Sequence, residues 1–179
     1  MAPEQLDLGL EDVWTPSGPY KFKTKDSRYW KKSAEWVMFH DYGYLRRLLD
    51  QKESKPYKTK DPLHQHLEWL LARGEDRPVY RTCPVCQENP IKYLSVRGSD
   101  RDGYSIGLSF AHCGQDKCRG RFITDKMPTD IPVVFSSYER FFYKTDKDRF
   151  LTVLRQVYQI DESPITANRA FNFFSQSSR

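Results

Sequence analysis

Every cysteine of this 179-residue chain belongs to one of two close pairs: Cys83 and Cys86 in CPVC, and Cys113 and Cys118 in CGQDKC. Two residues separate the first pair, four separate the second, and 26 lie between the pairs. Each short loop can deliver two thiolates at the bite of a four-coordinate ion, and a β-hairpin between the loops would bring the pairs together. Pro84 and Gly114 suit the sharp turns in which backbone amides face sulfur. The spacing therefore predicts a zinc site built from Cys83, Cys86, Cys113 and Cys118. The competing readings are two disulfides or four unrelated thiols. Nothing in the sequence suggests secretion, and in a reducing compartment paired thiols more often hold metal.

Four cysteines close the coordination sphere, whereas a catalytic zinc keeps a position open for water. A cytidine-deaminase-type centre would place His-x-Glu ahead of Pro-Cys-x-x-Cys, and here Tyr80, Arg81 and Thr82 precede CPVC. The expected role of the metal is structural. His112, beside Cys113, is a possible substitute ligand or a support for the site from outside it.

The elements that must position these thiols are legible in part. IKYLSVRG and GYSIGLSFAHC are strand-like runs flanking GSDRDG, a Gly/Asp/Ser turn. Before them, Ser33 is a candidate N-cap for a helical stretch over 33–51 that HDYG should split in two. Asp61-Pro62 opens the cleanest helix, 61–75, with Leu63, Leu67, Leu70 and Leu71 in a stripe and Gly74 as its stop. YKFKTK (20–25) alternates like a short strand. After the hairpin, VVFSSYERFFYKT is expected to run from strand to helix. Helices should follow over 146–160, capped by Asp146, and over 163–174 from a Ser-Pro start. The predicted fold class is α+β, a small helical domain carrying an inserted zinc-bound β-hairpin. Its regions are a basic, mostly helical 1–78, a zinc-ribbon-like hairpin 79–124 and a helical 125–179, the last sharing one core with the first if the two pack together.

Charge points to a partner. Residues 1–16 hold four acids and no base, whereas 17–60 hold twelve Lys or Arg against five acids, a net +7. Basic residues gain affinity for nucleic acid by displacing counterions from phosphates. The same charges also suit an ordinary solvated face. Lys21, Lys23, Lys25, Lys31 and Lys32, with Arg46 and Arg47, would track a phosphate backbone, and Tyr20, Phe22, Tyr29 and Trp30 would offer stacking surfaces. A second contact would come from the hairpin through Arg97, Arg101, Lys117, Arg119 and Arg121. Trp36 and Trp69 read as core.

Residues 18–49 carry a more specific signal. GPYKFKTK followed by AEWVMFHDYGYLRRLL resembles the C-terminal accessory module of exodeoxyribonuclease X-like proteins. Gly18, Tyr20, Lys21 and Lys25 match its basic strand; Asp41, Gly43, Tyr44, Leu45, Leu48 and Leu49 match its helix. Pro19, Phe22, Tyr42 and Arg47 depart from it. The resemblance implies an accessory, DNA-handling role and lends no weight to catalysis, because the nuclease domain of that family has no counterpart here.

The chain shows no phosphate-binding glycine loop, nucleophile elbow or His-Glu-x-x-His helix. It has no run of about 18 apolar residues and no secretory signal pattern, which predicts a cytoplasmic protein, or a nuclear one in a cell with a nucleus. The expected function is that of a non-catalytic, zinc-containing nucleic-acid-binding protein, DNA or RNA, serving as adaptor or subunit of a larger complex. One alternative is a protein–protein module, favoured if Phe171, Phe173 and Phe174 are exposed. Another is a cryptic metal-dependent nuclease built on Asp26, Glu35 and Asp41.

Overall fold

Ser33 begins the ordered helical architecture by accepting the Trp36 amide on its hydroxyl, which starts α1, Ala34–Met38. This computed structural model describes residues 14–23, 27–53, 61–99, 103–122, 129–160 and 164–176. The chain turns at His40 and Asp41 and resumes as α2, Tyr42–Glu53. Asp41 caps it by accepting the Tyr44 amide at 3.2 Å, so the HDYG break falls where the sequence predicts it. Asp61 accepts from the Leu63 amide at 3.0 Å and, with Pro62 in the first turn, opens α3, Pro62–Glu75.

Gly74 does not end α3. It lies inside the helix, where a Cβ would come within 2.4 Å of Met38 Cε and 3.2 Å of the Phe135 ring. The helix caps two residues later at Asp76.

Between the helices lies a small antiparallel sheet. Its shared strand is β1, Tyr93–Ser99, which pairs with β2, Gly103–Ser105, through Arg97–Ser105 to Ser99–Gly103. The same strand pairs with β3, Ala111–His112, at Tyr93–His112 and Leu94–Ala111. It also pairs with β4, Thr129–Pro132, from Tyr93–Pro132 to Val96–Thr129. A short helix, α4, Asp116–Arg119, lies between β3 and β4. The fold is mixed helix and antiparallel sheet, α+β as expected.

Several expected elements differ. The run from Val133 does not continue as strand then helix: the strand is β4, ahead of it, and Phe135–Arg140 forms a 3-10 turn. Phe135 and Tyr138 bury their rings there, and a tight turn delivers both to the core where a strand would alternate them. YKFKTK contributes only an isolated bridge, Lys21 with Ser33. The next helix, α5, Lys144–Val157, begins before Asp146, which sits buried in its first turn. The last, α6, Ala167–Ser175, is capped by Thr166, whose hydroxyl accepts the Arg169 amide at 3.2 Å.

Among the described residues the main cluster of buried apolar side chains runs from Phe22 to Phe174, and a smaller one gathers Cys83, Cys113 and Cys118. Phe39, the C-cap of α1, stands 5.4 Å from Phe135, 5.5 Å from Phe173 and 5.3 Å from Phe174, ring centre to ring centre. Each fully buried ring contributes about 2–3 kcal/mol of transfer free energy, so the meeting of α1 with α6 is a main source of cohesion. Leu94 and Val96 of β1 join the same cluster, which fastens the sheet to the helices. No helix among the described residues is long and apolar enough to cross a membrane.

Candidate metal centre

The four cysteines converge. All four Sγ atoms lie within 4.8 Å of one another, Cys86 and Cys113 at 3.9 Å, and none is in a disulfide. A tetrahedral ion with bonds of 2.3 Å holds its sulfurs about 3.8 Å apart. Cys83, Cys113 and Cys118 are buried and Cys86 is half-buried. Among the described residues no other set of three or more His, Cys, Asp or Glu side chains comes together in this way. The cluster is one that could hold a metal ion.

Backbone turns build it. In the first loop the Gln87 amide donates to the Cys83 carbonyl at 2.8 Å and the Cys83 amide to the Asn89 carbonyl at 2.7 Å. Gln87, the residue after Cys86, takes φ +58°, and Gly114, the residue after Cys113, takes φ +92°. A positive φ directly behind a ligand swings the following amides towards sulfur, a conformation side-chain-bearing residues rarely adopt. At Gly114 a Cβ would also fall 2.7 Å from the Tyr93 ring. Cys118 is carried on α4, whose first turn is closed by the Cys118 and Arg119 amides donating to the Gln115 carbonyl, both at 2.9 Å.

The electrostatics divide the thiols. Amides of Glu88 and Asn89 donate to Cys86 and pull it down to about 6. At Cys83 burial works against the thiolate, yet amides of Cys86, Val85 and Cys113 outweigh it, and the net direction is down. Burial, reinforced by the neighbouring sulfurs, pushes Cys118 up to about 12. Four thiolates this close repel one another, and the sulfurs that receive backbone amides, Cys83 and Cys86, give up their protons more readily than Cys118. A divalent cation would stabilise all four thiolates.

His112 is not a fifth candidate ligand. Its ring is fully buried and both nitrogens are engaged: Nδ1 accepts the Gly114 amide at 3.1 Å, and Nε2 faces Ser95 Oγ at 3.1 Å. The one His-x-Glu spacing in the chain, His66 and Glu68, takes no part either. His66 is buried against Glu35, Nε2 to Oε1 at 2.5 Å, and Glu68 is exposed beside His64.

The basic residues fall into separate groups. The Phe22 amide donates to the Lys32 carbonyl at 3.0 Å and the Lys31 amide to the Phe22 carbonyl at 3.1 Å, so the strand-like segment and the following turn form one unit. Lys21, Lys23, Lys31 and Lys32 are all exposed on it. Lys31 Nζ lies 4.1 Å from the Trp30 ring centre and Lys32 Nζ 4.7 Å from that of Trp36. Of the four aromatics expected to stack on bases, Trp30 is exposed, Tyr20 and Tyr29 are half-buried, and Phe22 is core. Trp69 is buried as expected, while Trp36 is half-buried and stacks on His40 at 3.6 Å.

Arg46 and Arg47 are exposed on α2, Arg46 paired with Asp50 at 3.0 Å. Lys117, Arg119 and Arg121 are exposed next to the cysteine cluster, Lys117 facing Glu88 at 3.7 Å. Arg97 lies on β1 opposite Ser105. Lys25, Asp26 and Arg101 lie outside the described residues.

Glu35 and Asp41, two of the acids a nuclease would need, are engaged elsewhere. Glu35 is fully buried with His66, and Asp41 accepts from the Tyr29 hydroxyl at 2.8 Å and pairs with Arg28 at 3.4 Å. Phe174 is buried and Phe171 and Phe173 half-buried, all packed in the core, so these rings do not offer a free docking face. Sequence reasoning missed the exposed pair Phe142 and Tyr143, 5.3 Å apart. The signal was present as FFY, but nothing local tells which aromatic of a run faces water.

Comparison of the chain with known protein families, with curated proteins and with solved structures finds no match.

Proposed function

We propose that this chain is a zinc-containing nucleic-acid-binding protein without catalysis of its own, acting as adaptor or subunit of a larger nucleoprotein complex. The observation that carries the reading is the convergence of four sulfurs within 4.8 Å. Four soft thiolates in a closed arrangement suit zinc and leave no position for a substrate or an activated water. The exposed Lys117, Arg119 and Arg121 at its margin, and Lys21, Lys23, Lys31 and Lys32 on the segment that also carries the exposed Trp30, supply the charge and one stacking surface that phosphates and bases would use. The likeness of residues 18–49 to the exodeoxyribonuclease X-like accessory module lends weight to nucleic-acid contact, DNA or RNA.

The test is to quantify zinc in purified protein and, on the same sample, titrate labelled single- and double-stranded DNA and RNA across a salt series. One zinc per chain with a steep salt slope supports the reading. One zinc with no binding to any polymer at low salt leaves the metal as a staple of the fold and removes the nucleic-acid half.

A second reading has its own observation. Phe142 is 86% exposed with Tyr143 beside it, which favours a protein-docking module held by the same structural zinc. Salt separates the two, because apolar docking is insensitive to ionic strength.

A further inference from the structure

The loop that carries Cys113 and the helix that carries Cys118 are tied to the same carboxylate. Asp130 stands on β4, away from either cysteine in sequence and half-buried. Its Oδ2 accepts from Arg119 Nε at 2.7 Å, and Arg119 directly follows Cys118. Its Oδ1 accepts from the Ser95 hydroxyl at 2.8 Å and lies 3.2 Å from His112 Nε2. His112 directly precedes Cys113.

The hydrogen-bond roles follow from one donor. The Gly114 amide can only donate, so His112 Nδ1 accepts it and the ring proton sits on Nε2. Ser95 spends its hydroxyl proton on Asp130, so its oxygen shares the His112 Nε2–H with the carboxylate. The chain of contacts therefore runs from Asp130 through His112 to the left-handed Gly114 turn behind one ligand, and from Asp130 through Arg119 to the residue behind another.

Resting on the metal-centre reading above, we propose that Asp130 is the positioning residue of this centre. It holds the His112 ring and the Arg119 guanidinium together, and so keeps Cys113 and Cys118 at the separation the ion needs. An aspartate can serve both arms because each oxygen accepts. An asparagine has one accepting oxygen and one donating amide, and so can serve one arm only. Partners of this kind, one step removed from a metal, commonly change its affinity about 10–100-fold.

The experiment measures zinc affinity by competition with a chromophoric chelator, and the visible spectrum of the cobalt-loaded protein, for the full chain and for Asp130→Asn, Arg119→Gln and the double variant. Arg119 is half exposed, so its variant keeps the test alive should Asp130→Asn fold poorly. The expected result is a loss of tenfold or more for Asp130→Asn, a smaller loss for Arg119→Gln, and a shifted cobalt spectrum in both. The double variant should be no worse than Asp130→Asn alone, because Arg119 acts through the carboxylate. Affinities within twofold of the parent with an unchanged cobalt spectrum overturn the proposal, as does strict additivity in the double variant. If the parent chain itself takes up neither zinc nor cobalt, the metal-centre reading falls and this inference falls with it.

Discussion

Glu35 and His66, 31 positions apart in the chain, meet in the interior at 2.5 Å, with 0% and 2% of their surfaces exposed. Glu35 Oε1 also accepts the Tyr20 amide at 3.3 Å, while Oε2 has no partner. Removing one member strands the other in an apolar setting that cannot solvate it, a loss of about 3–5 kcal/mol for a buried pair. Glu35→Ala should therefore cost about that much in urea unfolding. Glu35→Gln keeps an accepting oxygen for His66 and Tyr20 and should cost less than half as much. Equal losses from the two variants would mean that shape, and not the bond to His66, is what Glu35 supplies.

The turn behind Cys113 makes a second prediction. Gly114→Ala meets two independent costs, the positive φ and the contact of its Cβ with the Tyr93 ring at 2.7 Å. Backbone strain of this kind is worth about 1 kcal/mol or more. Shortening Tyr93 to Ala in the same chain relieves the contact and not the strain. The double variant should therefore recover part of the stability that Gly114→Ala loses relative to Tyr93→Ala alone. Thermal unfolding of the four chains in this cycle reads it, and a cycle with no coupling would show that the ring is not what excludes a side chain.

Metal loading should be visible as proton release. Cys118, held at about 12 by burial, carries its proton at pH 7.5, whereas Cys86, held at about 6 by the Glu88 and Asn89 amides, has already lost its own. Adding zinc to apo protein at pH 7.5 in weak buffer should release at least one proton per ion, read with an indicator dye. Below pH 6 the ion must also displace the Cys86 proton, so affinity should fall more steeply there. A chelator should lower the unfolding temperature and zinc should restore it. Zinc binding without proton release would argue that Cys118 is not a ligand.

His40 supplies a pH dependence unconnected with the metal. Burial lowers it from its ordinary value of 6.5, with the charges of Arg155 and Lys32 acting in the same direction, against the hydrogen bond to the Trp36 carbonyl. The folded state thus binds its proton less readily than the unfolded chain. The contribution of His40 is fully present above pH 6.5 and is lost as pH falls towards the depressed folded value. Apo protein should unfold at lower temperature as pH drops from 7 to 5, and His40→Gln should flatten that part of the curve. A parallel slope in parent and variant would assign the acid sensitivity to other groups.

How much of this was legible in the sequence depends on how far apart the participants lie. Helix α3 was readable because Asp61, Pro62 and the leucine stripe act within two turns, and the cysteine pairs because each is delivered by one short loop. Phe22 was misplaced: alternation with lysines suggests a surface strand, yet its backbone pairs with Lys31 and Lys32 and its ring goes inward. The Glu35–His66 bond and the three contacts of Asp130 join segments 31, 35, 18 and 11 residues apart. No local periodicity encodes such meetings, so only the folded chain reveals them. The same holds for β4, four residues whose pairing to β1 is decided by the partner strand and not by their own composition.

The meeting of α1 with α6 has a consequence for synthesis. The ring of Phe39 is sealed by Phe173 and Phe174, which a ribosome adds long after it. At about 5–20 residues per second the interval is roughly 7 to 27 s. Phe135 reaches one side of the Phe39 ring earlier, but throughout that time the side that faces α6 stays uncovered in a nascent chain, and the arrival of α6 completes the seal.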